Sequence, residues 1–184
     1  MVGSPFFLSY PTPGYDNQQA FITRVREYFT DQGFEPRTLG VTDYDMNAPL
    51  RAVRRLLHES NGFVGVALRR THIADGRRVA RGADGVLHET GLRDAWLTTP
   101  WPHMEAAMAY QIGLPILIFR ESGLVADGIL DPGVAGLHMP EIDLDADLDT
   151  YFRSPQWRQP VTQWERRVQQ VIERKGHPPA LYDE

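Results

Sequence analysis

Apolar residues fall along this chain in short solid runs separated by stretches with helical spacing. Phe6-Phe7-Leu8-Ser9-Tyr10 is apolar and aromatic and stops at Pro11, which predicts a buried first strand. The following Pro, Gly and Asn residues predict a loop up to Asn17. Phe21, Val25, Tyr28 and Phe29 then recur at helical spacing up to Gly33, predicting a helix over residues 18–32. Residues 34–39 predict a second, weaker strand, and residues 40–46 a polar loop carrying Asp43 and Asp45. Asn47 and Pro49 open a second helix with Leu50, Val53, Leu56 and Leu57 on one face, ending near Asn61-Gly62. Phe63-Val64-Gly65-Val66-Ala67-Leu68 is apolar throughout, as a strand buried on both faces is.

The regularity breaks after Leu68. Residues 69–99 carry Gly76, Gly82, Gly85 and Gly91 and no sustained period, which predicts an insertion or lid loop with only small local elements near residues 86–88 and 92–97. A third helix over residues 102–112 stops at Gly113, and a fourth strand covers residues 114–119. A glycine-rich connection runs to Gly136, and residues 137–142 predict a fifth, edge strand. Trp157, Val161, Trp164, Val168, Val171 and Ile172 step by fours and threes, which predicts a C-terminal helix over residues 156–175 docked on the sheet, with both tryptophans in the core. Strands alternating with helices imply βαβ units. The expected fold is α/β, a flavodoxin-like three-layer sandwich with a mostly parallel sheet of about five strands, in one domain of 184 residues.

Composition narrows the functional classes. The chain has no cysteine, so disulfides, thiolate metal sites and a cysteine nucleophile are out. No apolar run approaches a membrane span, and the first residues lack the basic-then-apolar order of a signal peptide, so a cytoplasmic protein without a membrane partner is expected. A net charge of −5 disfavours general nucleic-acid binding, despite the local clusters Arg69-Arg70 and Arg77-Arg78 with Arg81, which read as a solvated loop. The six histidines show no paired ligand spacing, so no metal is expected, and no cofactor. Ser9 follows a strand without G-x-S-x-G around it, which disfavours a hydrolase triad. Lys175 is the sole lysine, and no phosphate-binding loop motif accompanies it.

Ligands of parallel sheets bind beyond the carboxyl ends of the strands. In the expected fold that edge collects Tyr10, Tyr15, Asp43, Asp45, the 69–99 segment, Trp101 and Glu105. The segment Thr98-Thr99-Pro100-Trp101-Pro102-His103-Met104-Glu105 is the strongest candidate within it. Trp101 and Glu105 are four apart at a helix start, so they can share a face. A carboxylate in a first helical turn is expected to be held ionised by the dipole and free N–H groups. An ionised carboxylate suits the positive, oxocarbenium-like ribose formed when an N-glycosidic bond breaks, and an indole beside it can stack on a ring. His103 is a candidate proton donor, though its position also suits a solvated helix face. The same spacing also fits a dipole-partner glutamate and a tryptophan packed beside proline.

Phe7-Leu8-Ser9-Tyr10 resembles the first-strand box of TIR domains. Residues 59–66, Glu-Ser-Asn-Gly-Phe-Val-Gly-Val, resemble that family's helix end and third strand, and Trp101-Pro102-His103-Met104-Glu105 matches the W-x-x-x-E pattern of TIR NADases. The run from Met104 to Pro115 is also similar to one in the nucleoside deoxyribosyltransferases, which normally carry Gly-Thr where this chain has Pro-His-Met. The resemblance spans residues 6–119 and departs from the TIR pattern at the 69–99 insertion.

The TIR resemblance implies an enzyme that takes NAD as substrate rather than cofactor and cleaves its nicotinamide–ribosyl bond, by hydrolysis or cyclisation. It implies Glu105 as the essential carboxylate, Trp101 shaping the pocket, Phe7, Ser9 and Tyr10 under the nucleotide, and Asp45 in a loop that governs assembly and pocket closure. Self-association as an oligomer or filament, and a role in prokaryotic antiphage immunity, belong to the same implication. Two other readings stand beside it: a nucleoside or nucleotide N-glycosidase or deoxyribosyltransferase, and a non-enzymatic TIR-like signalling module.

Overall fold

In a computed structural model, which describes residues 3–46, 48–135 and 140–174, the chain forms an α/β sandwich around a five-stranded parallel sheet. The strands are β1 (Ser4–Ser9), β2 (Phe34–Arg37), β3 (Phe63–Ala67), β6 (Ile116–Glu121) and β7 (Glu141–Ile142), in the order β2-β1-β3-β6-β7. The two remaining strands, β4 (Thr71–Arg81) and β5 (Leu87–Leu97), form a separate antiparallel pair. The helices are α1 (Asp16–Asp31), α2 (Pro49–His58), α3 (Pro100–Gln111), α4 (Leu148–Arg153) and α5 (Pro155–Glu173). Among the described residues no helix is long and apolar enough to cross a membrane.

Alternation along the strands builds two cores. Phe6, Leu8, Val64, Val66, Leu117 and Phe119 face one side, where they meet Phe21, Val25 and Phe29 of α1 and Trp157, Val161, Trp164 and Val168 of α5. Phe7, Phe63, Ala67, Ile116 and Ile118 face the other, against Val53, Leu56 and Leu57 of α2 and Ala106 and Ala109 of α3. Both expected core tryptophans are buried: Trp157 stacks on Phe119 with centroids 5.0 Å apart, and Trp164 donates its indole N–H to the carbonyls of Phe63 and Pro115 at 3.1 and 3.0 Å. Those two bonds pin α5 across the amino ends of β3 and β6.

Several expectations change in detail. The 69–99 segment is not irregular. Two eleven-residue strands pair antiparallel from Thr71↔Leu97 out to Arg81↔Leu87, and Gly85 closes the turn at φ +77°. At about 3.4 Å per residue the ribbon is roughly 37 Å long. Its periodicity is hidden because both faces meet solvent over most of its length, so no apolar alternation was needed. Leu50, expected on the buried face of α2, is 47% exposed; the buried stripe is Ala52, Val53, Leu56 and Leu57. Of the fifth strand expected over 137–142, Glu141–Ile142 is strand and Pro140 is not, while 137–139 lie outside the described residues, as do Asn47 and Lys175. Helix α4, unanticipated, is capped by the Asp147 side chain, which accepts from the Asp149 and Thr150 amides.

Candidate active site

The sheet order places a topological switch between β1 and β3: the chain leaves β1 toward β2 on one side, then crosses back to β3 on the other. Ligands of open α/β sheets bind outside the carboxyl ends of the strands at such a point. Ser9 is the last residue of β1 and is in register with Gly65 of β3. Ser9 shares its strand face with Phe7, two residues back, so its hydroxyl is turned toward the α2/α3 layer. Gly65 beside it adds no side chain to that face.

Helix α3 meets them there. Its buried residues are Pro102, Glu105, Ala106 and Ala109, an i, i+3, i+4, i+7 stripe. Three of the four are proline or alanine, which lets the helix lie close to the sheet. The fourth is Glu105, a carboxylate at a core position and only 8% exposed. The Ser9 hydroxyl, 2% exposed, donates a hydrogen bond to Glu105 Oε2. Among the described residues Glu105 has no ion-pair partner. Burial pushes its carboxyl up to about 7, and the Ser9 hydrogen bond opposes the rise. The expectation of a carboxyl held ionised by the helix start is therefore overturned. The helix begins at Pro100 rather than Pro102, which moves Glu105 into the second turn, and prolines at two of the first three positions remove donors. Desolvation outweighs what is left of the dipole.

The approach to α3 is polar and under-satisfied. Among the described residues the Thr98 and Thr99 hydroxyls are buried without hydrogen-bond partners, and Thr99 at the N-cap makes no side-chain cap. Buried hydroxyls in that condition are rare, and each calls for a partner. Trp101 lies one turn before Glu105, about 40° around the helix, and is 40% exposed. An exposed indole, two orphan hydroxyls and a buried neutral-range carboxyl thus lie within six residues of one helix start.

The other sequence candidates are distributed differently. Phe7 is 1% exposed and packs edge-on against Phe63 at 5.8 Å, so it supports the site from the core. Tyr10 is half-buried against the opposite core, and Tyr15 is exposed at the N-cap of α1. His103, two positions from Glu105, projects to another side of α3. Its ring lies over Gly128 in the connection after β6, where burial holds it below its ordinary pKa and Asp127 opposes that. Asp43 is clamped by Arg37, with Thr42 Oγ1 donating at 2.9 Å. Burial alone would raise the Asp43 carboxyl, but the Arg37 and Thr42 hydrogen bonds and the nearby guanidinium charges take it below the usual range. Asp45 accepts from Arg55 Nε at 3.1 Å, and Arg37 and Arg55 both reach Glu59. These two aspartates form a braced ion-pair network around the loop after β2, apart from the Ser9–Glu105 pair.

A second buried polar cluster was missed by sequence reasoning. Glu121, at the end of β6 and 4% exposed, accepts from the Arg69 amide at 2.7 Å and from Gln18 Nε2 at 2.8 Å. Gln18 in turn accepts from the Gly14 amide at 2.8 Å, and Arg69 Nε donates to the Ser122 carbonyl at 2.6 Å. The cluster ties the base of the ribbon to α1 and β6. Among the described residues no group of three or more His, Asp or Glu side chains converges as metal ligands would.

No protein-family model matches the chain, and no curated protein matches it in sequence. Among solved structures, the TIR domains in the activated Roq1 resistosome, which directly recognises the pathogen effector XopQ, align over 94% of this chain and 99% of that one, with a TM-score of 0.45 and 11% identity. The fold described above rests on its own strand order and connections.

Proposed function

We propose that this protein is a TIR-like enzyme that cleaves the nicotinamide–ribosyl bond of NAD, with Glu105 as the carboxyl that works at the ribose. The observation that carries this reading is the buried Glu105 at the β1/β3 switch point, hydrogen-bonded to Ser9 and, among the described residues, without a cation partner. A carboxyl placed there for stability alone would normally be paired with a positive group or exposed. The sequence resemblance of the Trp101–Glu105 segment to TIR NADases supports the same assignment.

A carboxyl near 7 can hold or release a proton at physiological pH. A cationic nicotinamide ring beside it favours the ionised form. As the carbon–nitrogen bond breaks, its electron pair goes to the nicotinamide nitrogen, and positive charge develops on the ribose. The Glu105 carboxylate stabilises that charge, water attacks the anomeric carbon, and the carboxylate takes the proton that water loses. In a cyclising enzyme a nitrogen of the substrate's own adenine replaces the water. Ser9 holds the carboxylate by its hydrogen bond. Trp101 offers its exposed face for stacking, and the Thr98 and Thr99 hydroxyls are suited to the nucleotide's phosphates or ribose. Self-association and a cytoplasmic setting belong to the same proposal.

The test is mass spectrometry of products after incubation with a panel of NAD, related dinucleotides and nucleoside monophosphates. Nicotinamide with an ADP-ribose-type product from NAD is expected. Base release from monophosphates with indifference to NAD would replace this reading by the nucleoside N-glycosidase or transferase one.

A further inference from the structure

The edge of the sheet opposite Glu105 carries a concave site of its own. A cavity of about 470 Å³ opens between the start of β6 and α5, lined among others by Tyr110, Pro115, Ala135, Arg167, Gln170 and Arg174. It lies at the amino end of β6, roughly 20 Å along the strand direction from the carboxyl edge. Arg167 of α5 and Arg174, the helix's C-cap, are seven positions apart, hence close to one face and about 10 Å apart along the axis. Among the described residues neither guanidinium has a hydrogen bond or ion pair.

The neighbouring face of the same helix is built in the opposite way. There Arg166 lines a cavity together with Glu165 and Glu173. Both carboxylates of α5 thus line the Arg166 cavity, and among the described residues no carboxylate lines the Arg167–Arg174 cavity. Guanidinium forks suit phosphate oxygens, which they bind by paired, charge-assisted hydrogen bonds. Tyr110, 60% exposed at the rim, presents an aromatic face. The Gln170 amide can donate to, or accept from, a ring or ribose.

We infer that this cavity is a second ligand site, taking a nucleoside diphosphate or a similar small molecule that combines a ring with two phosphate groups. It is separate from the Glu105 site and does not depend on the reaction assigned to it. Arg167 and Arg174 grip the two phosphates, and the ring lies toward Tyr110.

Isothermal titration of the full chain with ADP tests this, with inorganic phosphate as the comparison. The Arg167–Arg174 site is expected to bind one ADP, more tightly than phosphate. Arg167→Gln and Arg174→Gln are each expected to weaken ADP binding by about tenfold or more. Both side chains are exposed, so neither variant threatens folding. Arg166→Gln, the same change in charge on the other face, is expected to leave binding within about twofold, and Glu105→Gln is expected to leave it unchanged. No binding at millimolar ADP would overturn the inference. So would an equal effect of Arg166→Gln, which would mean diffuse attraction to the helix, or a loss in Glu105→Gln, which would place ADP at the other edge of the sheet.

Discussion

The Glu105 carboxyl makes a specific statement about stability. Its folded-state pKa of about 7 lies above its ordinary value of 4.5. Below about pH 4.5 both folded and unfolded chains hold the proton. Between 4.5 and 7 the unfolded chain releases it and the folded chain does not, so stability falls as pH rises through that window. The loss is on the order of 3 kcal/mol. Glu105→Gln removes it and leaves every other titrating group in place. In urea unfolding across pH, the variant is therefore expected to gain on the wild type by roughly that amount between pH 4.5 and pH 8; a constant difference would contradict the burial argument. Ser9→Ala is expected to raise the carboxyl further, because the hydroxyl opposes the shift. The acid limb of a kcat/KM pH profile should then move to higher pH, whereas Ser9→Thr, which keeps a hydroxyl, should restore it. Glu105 was legible in the sequence as a candidate, but its protonation was not: spacing reveals a helix start and says nothing about what covers the side chain. The Ser9 contact spans 96 positions and could not be read locally.

At the level of elements, α3 explains why Glu105 is where it is. Pro102, Ala106 and Ala109 share its stripe and keep the helix near the sheet, and this i, i+3, i+4, i+7 signal was present in the sequence. The docking of α5 depends on a close approach at Gly62, where a Cβ would stand 2.7 Å from both the Trp164 ring and Val168. Gly62→Ala is expected to destabilise the fold by about 1–3 kcal/mol in chemical denaturation, since the ring and the helix must shift together. The β4–β5 ribbon is the element that sequence patterning could not reveal, because period-two alternation appears only when one face is buried. Of its residues, Trp96 packs against a core, and its carbonyl accepts from the Val125 amide at 2.9 Å. Replacing residues 74–94 by a short Gly-Ser turn is thus expected to leave a cooperatively folding domain with a nearly unchanged melting temperature. Global unfolding on that deletion would show that the domain's stability depends on the ribbon.

At the scale of the whole molecule, strand order decides where chemistry can sit. The solid apolar runs of β1, β3 and β6 and the intervening helical periods made the parallel sheet readable. The carboxyl-edge rule then gathered Tyr10, Tyr15, the loop after β2 and the start of α3 at one end. That rule could not separate residues within the edge. Asp43 and Asp45 entered the candidate site by position, yet their guanidinium partners come from β2 and α2, and such ion pairs leave no periodic trace. Glu121 was invisible for the same reason, its partners lying on α1 and beyond β3. What remains at the switch point, among the described residues, is a carboxyl without an ion-pair partner and the serine hydrogen-bonded to it. The most direct measurement of its role is the rate of nicotinamide release from NAD at pH 7 by wild-type protein and by the Glu105→Gln variant, both shown to be folded. The expected result is release by the wild type and a loss of about a hundredfold or more in the variant. Equal rates in the two proteins would contradict the assignment of Glu105 as the working carboxyl.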